Sequence, residues 1–236
     1  MGEFAPWVRR FEDNAQLHAR ADAAIGFDER CSLPDELRTP LIDSVRRFQL
    51  GESGDGEQLL AKSADDPEYR CAAELFVAEE QQHAELLLRL LGYLGGQPMA
   101  QHWSDAVFVR LRRLMGLRTE LMVLTVAEVV ALSYYGGLAS ACPDPVVRAA
   151  AARILADERA HVRFHEQRLR GGFADSSAAA RALACTLWWI TAIGATAVVA
   201  YDHGRLLAAL GYRRHRFARD ILGDFAKTVR AVLAPR

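Results

Sequence analysis

The same helical phrase occurs twice in this chain. Asp66-Pro67 is followed, fourteen residues after the aspartate, by Glu80 and then His83; Asp144-Pro145 is followed at the same interval by Glu158 and then His161. An aspartate ahead of a proline marks a helix start. Its carboxylate caps free N–H groups, and a proline at the first helical position has no N–H to leave unpaired. At ~1.5 Å per residue, each Glu-x-x-His pair falls roughly 20 Å into its helix. Mid-helix is the driest part of a bundle, so a chain built this way must surround two long helices with others and keep polar groups among them.

Spacings of three and four recur along the chain, and no window sustains period-two alternation, so the fold class is all-α. Helices are expected at about 5–24, 40–64, 67–92, 104–141, 145–170, 177–209 and 213–233. Thr39-Pro40 and Ser104 supply further starts, and Gly95-Gly96 and Gly171-Gly172 supply stops. A chain of 236 residues, 51% hydrophobic, is long enough for one domain over 1–236. Within it the core bundle spans about 39–170 and a helical extension about 177–233.

Heptad steps show which way the polar residues face. One seam runs Tyr69, Ala73, Phe76, Glu80, His83, Leu87, Leu90, Leu94, and another Val147, Ala151, Ile154, Glu158, His161, His165. A third passes from Leu114 through Leu124, Glu128 and Tyr135 to Leu138, with Glu128 its only charge. The first runs Leu41, Val45, Phe48, Glu52 and then passes Asp55 to Leu59. An ionised carboxylate in an apolar interior is costly unless it is paired or binds a metal. Four such helices would converge four carboxylates and two imidazoles, a set that balances two divalent cations. Residues three apart share a helix face, so both members of each Glu-x-x-His can address one ion. Oxygen and imidazole donors without thiolate suit iron or manganese and do not suit a structural zinc site. Glu52 sits in GESGDGEQ, where three glycines weaken a helix, and Asp55 is the substitute ligand there.

The set Glu52, Glu80-x-x-His83, Glu128, Glu158-x-x-His161 resembles the ferritin-like di-iron carboxylate superfamily, over about residues 39–170. The resemblance implies a ferritin-like four-helix bundle with a dinuclear metal site, joined here by an N-terminal helix and two C-terminal helices. It implies those six residues as metal ligands and catalytic centre, with two iron ions as cofactor, manganese or a mixed Mn/Fe pair as the alternative, and O2 as co-substrate. It also implies that the acid preceding each motif hydrogen-bonds the histidine of the opposite helix: Asp157 with His83, and Glu79 with His161. The bland reading of both acids is a solvated position beside the seam. His165 takes the place that Leu87 holds in the first repeat; it reads as a polar residue near the bundle end, with a ligand or proton carrier as the alternative.

Departures from individual branches narrow the expectation. Radical-bearing reductase subunits of the family carry a tyrosine where Leu87 stands, and the arylamine oxygenases a histidine where Ile154 stands. The rubredoxin-like cysteine site of rubrerythrins is missing, since Cys31, Cys71, Cys142 and Cys185 are scattered. Size and the spacing from Glu52 to Glu80 are similar to compact oxygenases acting on apolar substrates. The leading expectation is therefore an O2-activating di-iron oxygenase of a small, largely apolar molecule. A ferroxidase or peroxidase handling iron or peroxide is the second reading, and a non-catalytic helical interaction protein the third. No flavin, nicotinamide or iron–sulfur fingerprint is present, so electrons would come from a separate donor.

The stretch ALACTLWWITAIGATAVVAY, residues 182–201, lacks charge over a length that could span a bilayer. It is rich in Ala and Thr and follows a bundle that needs covering, which favours a packed helix without membrane contact. On that reading Trp188, Trp189 and Ile193, with Tyr135, help to form an apolar wall or entrance for the substrate. A net charge of −1 gives no case for nucleic acid. The opening MGEFAPWVRRFEDNAQ has no apolar h-region before a cleavage site, and the cytoplasm is the expected compartment. A homodimer is compatible with all of this.

Overall fold

The computed structural model describes residues 2–103, 110 and 116–233. The expected helix start at Ser104 and the seam position Leu114 lie outside them. The chain belongs to the all-α class, and the described residues contain no strand. In chain order the helices are α1 (Ala5–Ala23), α2 (Asp35–Glu52), α3 (Glu57–Lys62), α4 (Pro67–Leu94), α5 (Leu117–Ala141), α6 (Pro145–Gly172), α7 (Ala178–Asp202), α8 (Gly204–Ala209) and α9 (Arg214–Leu233).

The duplicated caps form as their residues dictate. Asp66 accepts from Tyr69 N at 3.1 Å, and Asp144 from Val147 N at 3.0 Å. The two capped helices run antiparallel. The start of α4 meets the end of α6 through Asp66 and Arg168 at 3.3 Å, while Tyr93 near the end of α4 donates to Asp144 at 2.8 Å. Opposed directions and equal cap offsets bring the two Glu-x-x-His motifs to the same level. The helices α2, α4, α5 and α6 enclose a continuous apolar core that includes Leu41, Val45, Phe76, Leu87, Leu124 and Ile154. Outside it, α1 lies across α4 and α6, fixed by Phe4, Trp7 and Phe11 packing edge-on or tilted around Tyr69 and Phe164. The C-terminal helices α7 and α9 cover the α5 side.

Four boundaries differ from the sequence expectation. The first long helix begins at Asp35, with Pro40 inside it, because buried Leu37 extends the apolar seam one turn upstream and Asp35 and Glu36 favour the positive helix end. It also ends at Glu52, so that 40–64 is two helices. Gly56 adopts φ +68°, and a Cβ there would overlap the Val77 side chain, so the chain turns sharply against α4 before α3 begins. Third, α7 stops at Asp202, and His203 starts the short α8. Its ring is buried at the junction, where Nδ1 lies 2.6 Å from Ser44 Oγ, itself 2.8 Å from Tyr134 Oη. Gly171 and Gly172 do not interrupt α6, which runs through both to a cap at Phe173.

Candidate metal centre

The middle of the bundle gathers Glu80, His83, Glu158 and His161, each contributing one donor atom to a group whose atoms all lie within 4.8 Å of one another. From α5, Glu128 brings Oε2 to 3.7 Å from His161 Nδ1. At the last residue of α2, Glu52 is buried and accepts a hydrogen bond from Tyr135 Oη at 2.8 Å. Glu52 interacts with Glu80 and Glu158, so all six residues singled out in the sequence lie in one locality, with five of them buried and Glu80 partly exposed. Asp55, the alternative to Glu52, is exposed and accepts from the backbone of Glu57, so it serves the turn into α3.

The two histidines are held alike. His83 Nε2 donates to Asp157 Oδ2 at 3.0 Å across the α4–α6 interface, and His161 Nε2 donates to Glu79 Oε2 at 2.7 Å in the reverse direction. The other ring nitrogen, Nδ1, faces the cluster in both. It lies 3.3 Å from Glu158 Oε1 in His83, and 2.9 Å from Glu80 Oε1 in His161. None of these inward atoms makes an aligned hydrogen bond: His83 Nδ1, His161 Nδ1, Glu80 Oε1 and both oxygens of Glu158 are buried and unpartnered. Buried polar atoms are rarely left so, and a set of them converging from three or more side chains is the arrangement a cation satisfies. The donors are carboxylate oxygens and imidazole nitrogens, which fit iron or manganese.

Electrostatics follows from crowding. Burial, reinforced by the charges of Glu80 and Glu158, pushes the Glu52 carboxyl well above its ordinary range. Burial and the neighbouring Glu128 push Glu158 up to about 8. Against burial, which alone would lower them, the surrounding carboxylates raise both imidazoles well above 6.5. Asp157 stays ionised despite burial, because His18, His83 and Arg153 all favour its charge. Without a cation, then, protons balance the cluster.

Three residues that the sequence did not single out complete the outer layer. His18 of α1 places Nε2 3.2 Å from Asp157 Oδ1 and Nδ1 3.7 Å from Glu79 Oε1, touching both crossing acids. Asn14, one turn earlier, donates to Glu79 at 2.9 Å, and Arg153 pairs with Asp157 and with Asp22. Phe11, Asn14 and His18 share one face of α1, a signal visible in the sequence only once α1 is known to lie over this site. His165 is fully buried between the Phe76 and Phe164 rings, with Nε2 3.6 Å from Glu128 Oε1, too far for a hydrogen bond.

The four residues expected to form the substrate wall or entrance stand in different surroundings. Tyr135 binds Glu52 directly, but Trp188 donates to Met122 O at 2.7 Å and meets Phe225 of α9 edge-on, as does half-buried Trp189. Ile193 points the other way and is 53% exposed. The tryptophans anchor α7 to α5 and α9 because that side is where apolar cover is available, which leaves Ile193 on the opposite face.

Residues 45–170 match the family model of the ferritin-like domain. No curated protein matches the chain.

Proposed function

Because the chain belongs to the ferritin-like family, we propose that it is a di-iron oxidoreductase that uses O2 to oxidise a small, largely apolar organic molecule. The observation that carries this reading is the pair of inward imidazole Nδ1 atoms, unpartnered beside the unpartnered carboxylate of Glu158. Glu80, His83, Glu158 and His161 would hold the metal ions, with Glu128 and Glu52 completing the set from α5 and α2. A bound iron pair supplies two electrons for the reduction of O2.

The remaining roles belong to the chain's own side chains. Asp157 and Glu79 accept the Nε2 protons and thereby present the Nδ1 lone pairs inward. Tyr135 donates to Glu52 Oε1, which fixes one carboxylate oxygen and leaves the other for the cluster. Phe11 and Phe76 lie against His161 and keep bulk water from that side. Re-reduction falls to a separate electron-donor protein, since the sequence carries no second redox motif.

The test is a metal and oxygen count on the purified full chain. About two iron ions per chain, loss of most of them in E128A, and O2 uptake that stops after one turnover until reductant is added are the expected results. Continuous oxidation of many ferrous ions to a ferric core would make it an iron-handling protein instead. A folded chain that takes up neither iron nor manganese would overturn the reading altogether.

A further inference from the structure

His165 comes one turn after His161 on α6, and residues four apart share a helix face. Glu158, His161 and His165 therefore turn toward the same interior. No part of His165 reaches the surface; its exposure is 0%. Phe76 stands edge-on to both imidazoles, with centroids 4.8 Å from His161 and 4.9 Å from His165, and Phe164 flanks His165 at 5.5 Å. Packing alone thus fixes the ring. Both of its nitrogens are buried and unpartnered. Buried polar groups nearly always have a partner, so this imidazole calls for one from outside the chain.

The distance to Glu128 says what kind of partner. Nε2 of His165 lies 3.6 Å from Glu128 Oε1, too far for a hydrogen bond. The same interval recurs between other donors of the centre: 3.5 Å from His83 Nδ1 to Glu80 Oε1, and 3.7 Å from His161 Nδ1 to Glu128 Oε2 and to Glu158 Oε2. Two donors at about 2.1 Å from one ion, subtending roughly 90 to 120°, stand about 3.0 to 3.6 Å apart. His165 and Glu128 are therefore spaced as a pair that shares a cation. A water in its place would bridge only these two groups, whereas a buried water commonly makes about three hydrogen bonds. In the first repeat Leu87 holds the matching position, so the extra nitrogen falls on one side of the centre.

We propose that His165 is a seventh metal ligand, binding through Nε2 the ion that Glu128 and His161 hold, so that one ion carries two imidazoles and the other carries one. The inference rests on the dinuclear metal reading above and adds a residue to it. His83 and His161 each give their outer nitrogen to an acid, whereas Nδ1 of His165 has none behind it. Its ring is therefore the least basic of the three, held by the two phenylalanines rather than by a carboxylate.

The experiment counts imidazole nitrogens on iron. The full chain is loaded with iron, poised with one ferrous and one ferric ion, and read by pulsed EPR with ordinary and isotope-labelled histidine. Three strongly coupled ring nitrogens are expected in wild type and two in H165Q. Chelator competition should show one of the two ferrous ions bound about 100-fold more weakly in H165Q and H165A, since losing a mere partner of a ligand already costs about 10- to 100-fold. Added imidazole should restore that affinity in H165A, with native helix content by circular dichroism. Two coupled nitrogens in wild type, or native iron affinity in H165Q, would overturn the proposal and leave the dinuclear reading intact, because glutamine can hydrogen-bond Glu128 but brings no imidazole to iron. A folded chain that takes up neither iron nor manganese would overturn both. Should the variants not fold, the nitrogen count in wild type decides alone.

Discussion

His161 on α6 donates Nε2–H to Glu79 on α4 at 2.7 Å, and Glu79 is the residue immediately before Glu80, which meets the other nitrogen of the same ring at 2.9 Å. One imidazole is thus clasped by two consecutive acids of the opposite helix, and His83 repeats the arrangement with Asp157 and Glu158. The bonds cross the helix pair in both directions.

Removing the charge from one clasp should loosen the metal and leave the fold. D157N and E79Q are each expected to lower iron affinity about 10- to 100-fold, measured by competition with a chelator. Circular dichroism should remain that of the native bundle. An affinity unchanged in both variants would mean the acids do not orient the rings.

Metal loading should release protons. In the metal-free chain Glu158 is raised to about 8 and both imidazoles are raised above 6.5, so at neutral pH a cation must displace protons already bound. Affinity is therefore expected to climb as pH rises through about 8 and to fall on acidification. Titration calorimetry in buffers of different ionisation heat counts the protons released, and a count of zero would contradict the assignment.

His203 should make the fold acid-sensitive, whether metal is bound or not. Burial, aided by Arg47 and His102, lowers its pKa from 6.5 to about 3. The unfolded chain binds a proton between those values that the folded chain does not, so the contribution is intact above 6.5 and is lost as pH falls. At pH 5.5 the loss is about 1 kcal/mol. Urea midpoints of wild type and H203Q should converge as pH drops from 7.5 to 5.5.

Gly56 should resist substitution. Its φ of +68° costs an L-residue about 1–2 kcal/mol, and the added methyl would overlap Val77. G56A is expected to lower the melting temperature and, by shifting the turn after Glu52, to reduce the metal bound per chain. A variant as stable as wild type would show that the turn can relax.

Much of this architecture could be read from the chain because local chemistry and global packing agree. Asp66 and Asp144 cap the helices whose starts they mark in the sequence, and equal spacing from cap to motif becomes equal depth once the two helices run antiparallel. The parts that escaped depend on contacts between segments far apart in sequence. The glycines around residue 54 weaken a helix, but it is the proximity of Val77 that makes Gly56 turn. His203 looks like any polar residue after an apolar helix until Ser44, 159 positions away, supplies its partner. His18 is one more polar residue on α1 until that helix lies over both crossing acids. Ile193 stands 53% exposed for the converse reason: apolar character says that a side chain seeks cover, not on which side of its helix the cover stands.

Leu87 and His165 occupy equivalent places in the two repeats, one turn beyond His83 and His161, and they are where the internal symmetry of the cluster fails. On one flank a hydroxyl, Tyr135, grips the carboxylate of Glu52, while on the other an imidazole with both nitrogens unpartnered stands beside Glu128. The halves of the centre are therefore chemically unequal before anything binds. Two ions seated there would differ in ligand field and in affinity, and one of the two places would fill before the other.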